Sequence, residues 1–358
     1  MSGLRYRTWG AAMKHFAALD VSLKQTSVCI VDDAGGIVRE AKVATEPDDL
    51  RTFFRGTGLT FERIGLEAGP LSQWLVASLT MAGLPAICVE TRHAKAVLSG
   101  LANKTDRLDA RGLAHMMRTG WYRPVHVKTV ASQELRLLLT NRKLLVNKRV
   151  DIDSEIRGTL RGFGLKVGPV TPRQFEAQVR ELVADRPQLL AVVEPVLRVR
   201  AVLISQYQVL HRMVLDAVRD DPVCRRLITV PGVGAVVALT YRATIDQPAR
   251  FAKSKSVGAS FGLTPRTYQS GETDRTGRIS KAGDALTRAA LYEAAHTMLM
   301  RVTKWSSLKA WAVRVASRRG RQKAIVALAR RLAVVMHAMW RDGTEFRWTS
   351  RGDVAPAL

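Results

Sequence analysis

A run of short β-patterned segments, three of them consecutive and one interrupted by a carboxylate, most constrains this chain. The stretch HFAALDVSLKQTSVCIVDDAGGIVREAKV carries β-rich runs near 15–21, 25–32 and 36–43. Asp32, Asp33, Gly35 and Gly36 punctuate it, so an antiparallel meander with a DDAGG turn is expected. A helix near 47–56, a strand at 63–68, a helix near 70–82 and a strand at 84–90 follow. Helices near 91–99 and 105–118 close the region. Three consecutive strands, then strands alternating with helices, predict a mixed-sheet α/β domain.

Beyond residue 125 the strand signal fades. Leu135, Leu138, Leu145, Ile152 and Ile156 recur at helical spacing or its multiples, with Arg142 and Arg149 interrupting the stripe. Helices over 172–183 and 186–219 complete a helical hairpin or coiled-coil arm, for which packing on the first domain and oligomerisation are equally good readings. From Asp221 the chain is apolar and helical on both sides of Val230-Pro231-Gly232-Val233-Gly234. A polar segment at 265–284 and a basic helical stretch over 285–340 complete it. The expected organisation is 1–12 extension, 13–125 α/β domain, 126–220 arm, 221–345 C-terminal domain and 346–358 tail.

Charge narrows the function. The 358 residues carry +25, and 221–358 alone hold 24 basic against 9 acidic residues. Such an excess favours a polyanion, because each phosphate contact releases counterions. No apolar run reaches the length of a membrane span, and no signal-peptide core opens the chain, so a soluble, cytoplasmic protein without a membrane partner is expected. Cys29, Cys88 and Cys224 are widely spaced and indicate neither a zinc site nor disulfides.

The acids carry the chemistry. Asp20 interrupts the apolar strand FAALDV and Glu67 ends IGLEA, and a carboxylate among aliphatic residues is costly unless paired or metal-bound. Asp106 and Asp109, spaced i and i+3, share a helix face, with Thr105 suited to the N-cap. Together the four would suit hard Mg2+ ions serving phosphodiester chemistry. Singly, each has a structural alternative: a turn cap, a salt bridge or a solvated helix start.

LDVSLKQ, IGLEAGP, NKTDRLDA, VPGVGAVVALTYRATI and TPRTYQSGETDRTGRISKAGD together resemble the DEDD transposases of bacterial insertion elements, which are bridge-RNA-guided recombinases. The resemblance runs from about Met13 to the basic helical tail. It implies an RNase H-like (RuvC-like) mixed sheet flanked by helices, a coiled-coil arm and a mainly helical C-terminal transposase domain. It also implies a serine nucleophile, here Ser270, and an active site shared between protomers of a dimer of dimers. Donor and target DNA would be specified by a noncoding guide RNA. Ser270-Gly271 by itself is only a turn signal. Ser280 competes, but its place before Lys281 reads as a helix start.

Arg266, Arg275, Arg278 and Lys281 are candidate phosphate ligands, as are Arg318, Arg319 and Arg321 in RVASRRGRQK. Gly232 and Gly234 fit either a helix–hairpin–helix approach to a phosphate backbone or an ordinary tight turn. Two alternatives remain at this stage: a junction-resolving nuclease that uses metal-activated water, and a non-catalytic nucleic-acid-binding protein.

Overall fold

A computed structural model describes residues 13–99 and 105–349. The expected extension 1–12, the Asn103-Lys104 pair and the last part of the tail lie outside the described residues. The chain divides into two compact units, Met1–Lys128 and Thr129–Leu358.

The first unit is a five-stranded sheet in the order β3-β2-β1-β4-β5. β1 (His15–Val21), β2 (Gln25–Asp32) and β3 (Ile37–Ala44) form the antiparallel meander expected from the sequence, with Gly35 at positive φ in its turn. β4 (Phe61–Glu67) pairs parallel to β1, and β5 (Ala86–Val89) parallel to β4. Parallel pairs need crossovers. Here α1 (Pro47–Gly56) lies between β3 and β4, and α2 (Ser72–Met81) between β4 and β5. α3 (Thr91–Leu98) and α4 (Asp106–Thr119) follow β5.

Alternation along β1 sorts the core into two layers. Ala17 and Leu19 pack with Val28, Ile30, Leu66 and the buried residues of α1 and α2. Phe16 and Ala18 face the other way, onto Ala110, Leu113, Ala114 and Met117 of α4. The approach of α4 is close: a Cβ on Gly65 would stand 2.5 Å from Met117 Sδ. That helix is also pinned by charge. Glu40, in the middle of β3, accepts hydrogen bonds from Arg107 Nε (2.8 Å) and Arg111 Nε (2.5 Å), and from both terminal Nη2 groups. Arg118 and Arg63 fasten the other end, to the Asp33 carbonyl and from β4 to the Met117 carbonyl.

Among its described residues, the second unit is built of helices and one β-hairpin. α5 (Val130–Arg161) and α7 (Pro187–Asp220) form the two limbs of the helical hairpin, with α6 (Phe175–Val183) at its tip. The arginines that interrupt the α5 stripe are used inside it. Arg142 Nη2 donates to Tyr207 Oη at 2.8 Å, and Arg149 to Asp153 at 2.9 Å. Asp153 also receives Arg200 Nε at 2.6 Å, and Arg200 is 1% exposed with its guanidinium over the Phe175 ring. The bases of α5 and α7 share the main core with α8 (Pro222–Ile228), α9 (Ala235–Ile245) and α10 (Val257–Ser260). After the hairpin, α11 (Ala285–Met300), α12 (Ser307–Arg319) and α13 (Arg321–Asp342) fill the same core.

The segment 265–284, expected as a polar stretch, contains a β-ribbon: β6 (Pro265–Ser270) and β7 (Thr273–Ile279), antiparallel. Every β6 residue is exposed, so no hydrophobic alternation marks it.

Two stability outcomes follow. Removing one partner of a buried ion pair strands the other charge. Asp153→Ala is therefore expected to cost about 3–5 kcal/mol in urea denaturation, whereas Asp153→Leu with Arg200→Met stays near wild type. The two arginines lower the Glu40 carboxyl from 4.5 to about 2 by hydrogen bonding. A depressed acid stabilises the fold above its unfolded pKa, and that contribution is lost as pH falls toward the folded value. The unfolding-midpoint gap between wild type and Glu40→Gln is expected to be widest above pH 4.5 and to shrink toward pH 2.

Candidate active site

The four acids gather at one end of the first sheet, by a geometry that can be followed residue by residue. Leu19 and Leu66 are the last paired positions of β1 and β4, so Asp20 and Glu67 come next in register, side by side. Leu19 and Leu66 lie in the core layer under α1 and α2, and the pleat turns each following residue to the α4 face. The last turn of α4 is tied near the start of β4 and the β2–β3 turn. Its first turn therefore lies at the opposite end, where Asp20 and Glu67 stand. Thr105 caps that turn, its hydroxyl accepting from Leu108 N at 3.2 Å. Asp106 and Asp109 follow the cap, where the helix dipole favours negative charge.

Burial differs from the expectation of enclosed carboxylates. Asp20, Glu67 and Asp109 are half-buried and Asp106 is exposed, because the strands end here and the layer opens to solvent. All the donors are carboxylate oxygens, the type a hard divalent cation takes. Among the described residues, no three His, Cys, Asp or Glu side chains converge tightly enough to hold an ion. The set fits such an ion in donor chemistry and in placement at one end of one face.

Ser270 belongs to the second unit. It ends β6 and pairs with Thr273 across the two-residue turn Gly271-Glu272. Gly271 has φ +55°, and a two-residue hairpin turn with positive φ at its first central residue calls for glycine there. Among the described residues, the ribbon is anchored at its base. Ser280 N donates to Thr264 O (2.9 Å) and Lys281 N to Gly262 O (3.1 Å). A Cβ on Gly283 would stand 2.0 Å from Ser260 O, and one on Gly262 2.3 Å from the Ala282 backbone. Lys281 itself sits at φ +54°. Ser280 is part of this base and starts no helix: α11 begins at Ala285, capped by Asp284, which accepts from Thr287 N at 2.7 Å.

Arg275 and Arg278 are exposed on β7, and Arg266 on β6 reaches Ser280 O at 3.2 Å. Arg318, Arg319 and Arg321 are exposed at the α12–α13 corner. The hairpin glycines divide. At Gly232, φ is +85° and a Cβ would stand 2.5 Å from Ala294 O, so its close approach is to α11. Gly234 is exposed at the N-cap of α9 with open space around it. Sequence reasoning missed Glu40, a mid-strand acid whose arginine partners lie 67 and 71 positions away.

No helix among the described residues is long and apolar enough to cross a membrane. Comparison with known proteins agrees with the resemblance. A model of the IS110-type DEDD transposase matches residues 17–164, and a model described as transposase IS116/IS110/IS902 family matches residues 224–311. The transposase for insertion sequence element IS1111A of Coxiella burnetii is 28% identical over 332 residues, covering 90% of this chain and 88% of its own. A probable family 20 transposase of Pseudomonas aeruginosa is 25% identical over 307 residues, covering 83% and 89%. Among solved structures, Thermus thermophilus RuvC aligns over 32% of this chain and 99% of its own, at 11% identity and a TM-score of 0.22. With both family models matched in chain order, and together covering about two-thirds of the sequence, this chain belongs to the IS110 family of DEDD transposases.

Proposed function

We propose that this transposase cuts and rejoins DNA by direct attack of Ser270 on a backbone phosphate. The observation that carries the reading is the position of Ser270: it edges a glycine turn on a ribbon whose β6 strand is exposed throughout, where a hydroxyl can enter a DNA backbone without displacing any core. In the cleavage step the Ser270 oxygen bonds to phosphorus and the bond from phosphorus to the 3′ oxygen breaks. The proton lost by the serine is balanced by one gained at the departing 3′ oxygen. The product is a 5′-phosphoserine link and a free 3′-hydroxyl. The reverse attack by a new 3′-hydroxyl restores the phosphodiester and the serine, so no bond energy is lost.

Arg266, Arg275, Arg278 and Lys281 would hold the flanking phosphates and offset the charge that builds on the reacting phosphoryl group. Asp20, Glu67, Asp106 and Asp109 would hold Mg2+, which when bound supplies Lewis-acid stabilisation of phosphoryl oxygens. The exposed N-terminus of α9 at Gly234 and the corner formed by Arg318, Arg319 and Arg321 would take phosphates of DNA or RNA. Gly232, packed on α11, sets the turn that exposes Gly234. The net charge of +25 supports a polyanionic partner, and the family resemblance supports a guide noncoding RNA, a dimer of dimers and a cytoplasmic protein.

Covalent trapping tests the proposal. The protein is incubated with DNA carrying the ends of its element and with the flanking transcript, then denatured and resolved on a gel. A denaturant-resistant protein–DNA adduct is expected for wild type and none for Ser270→Ala. An adduct that persists in Ser270→Ala, or cleavage that survives unchanged, contradicts the serine mechanism and favours water as nucleophile.

A further inference from the structure

The ribbon has two unlike faces, and only one of them carries Ser270. Residues paired across an antiparallel ladder share a face, and so do residues two apart on one strand. Ser270 pairs with Thr273 and Tyr268 with Arg275, so one face shows Tyr268, Ser270, Thr273 and Arg275. The intervening pairs, Gln269 with Asp274 and Thr267 with Thr276, occupy the other face. The serine face therefore holds an aromatic ring and a cation. The reverse face holds small polar groups and an acid in the same stretch.

Tyr268 is 64% exposed. The tip of the ribbon lies beyond the backbone bonds and tight glycine contacts at its base, so the ring is not needed to hold the ribbon in place. A two-stranded ribbon in water gains little from its own cross-strand pairs. A large ring displayed there is suited to a flat apolar partner with anionic surroundings, since Arg275 stands directly across from it. A nucleobase attached to a phosphate has that chemistry: every base presents a π-face, and base–aromatic stacking contributes about 1–3 kcal/mol per base.

We propose that Tyr268 stacks on a nucleobase next to the phosphate at Ser270, with Arg275 holding an adjoining phosphate. It is a positioning residue: the stacked base fixes the register of the strand on the ribbon and so sets which phosphate meets the hydroxyl. This rests on the reading of the ribbon as the DNA-contacting element, but it does not require Ser270 to react.

Photo-cross-linking tests it. Single-stranded oligothymidylate with scattered 5-iodouracil is bound to the full-length protein, irradiated, and the linked peptide identified by mass spectrometry, because 5-iodouracil couples efficiently to stacked aromatic rings. The expected result is a link at Tyr268, lost in Tyr268→Ala and kept in Tyr268→Phe. Tyr268→Ala is also expected to lower affinity for the base-bearing oligonucleotide about tenfold, while affinity for an abasic oligonucleotide of equal length is unchanged. Arg275→Ala is expected to weaken both probes and flatten the salt dependence. Links confined to other aromatic residues, or a Tyr268→Phe variant as weak as Tyr268→Ala, would overturn the proposal. Ser270→Ala keeps the cross-link, so a cross-link without any serine adduct in wild type refutes the nucleophile alone.

Discussion

The pairing of Glu40 with Arg107 and Arg111 decides where the first unit can place its acids. Glu40 stands in the middle of β3, an edge strand of the sheet, and takes the guanidinium groups of two successive α4 turns. Paired N–H donors fix orientation as well as distance. The two arginines bracket Asp109, and Arg107 immediately follows Asp106, so the clamp acts on the turns that carry the helical half of the acid set. Alanines at 110 and 114 and the bare Gly65 let the helix sit low on the sheet, and the clamp stops it from rolling. Without it, the same apolar stripe could slide by part of a turn, and the four carboxylates would no longer share one end.

The second unit separates stability from contact. Its core runs through α8, α9, α11 and α13 and the bases of the long hairpin helices. Arg136 of α5 joins Thr244 of α9 (2.8 Å) and pairs with Asp284, the cap of α11. Three helices are thus locked just below the ribbon. The ribbon contributes almost nothing to that core, so its exposed residues are free of packing demands. Ser270, Tyr268 and Arg275 can be chosen for what they touch outside the chain.

Much of this was legible in the sequence. β1 and β2 follow their predicted bounds, because alternation and a run of glycine and aspartate leave little choice. Thr105 caps α4 as its place before Asp106 predicts. The ribbon was not legible, since strands exposed on both sides show no hydrophobic period. The Glu40 clamp was not legible either: a mid-strand glutamate and arginines four apart each look solvated until tertiary structure brings them together across 67 and 71 positions. Half-burial at Asp20 and Glu67 depended on where the strands end, which pattern alone sets only to within a few residues. Gly232 fitted a phosphate approach or a tight turn equally well, and the space a Cβ would need there is taken by the backbone of α11.

Iron-directed backbone cleavage tests, without requiring turnover, whether the acid end of the first sheet binds the divalent cation proposed to assist Ser270. Fe2+ is exchanged for Mg2+ in the full-length protein, and hydroxyl radicals are generated with ascorbate and peroxide. Cuts are expected in three places: at the end of β1 near Asp20, at the end of β4 near Glu67, and in the first turn of α4. Excess Mg2+ and the Asp20→Asn substitution are each expected to suppress all three. Cuts clustered elsewhere, or a pattern unchanged by Asp20→Asn, would contradict the account.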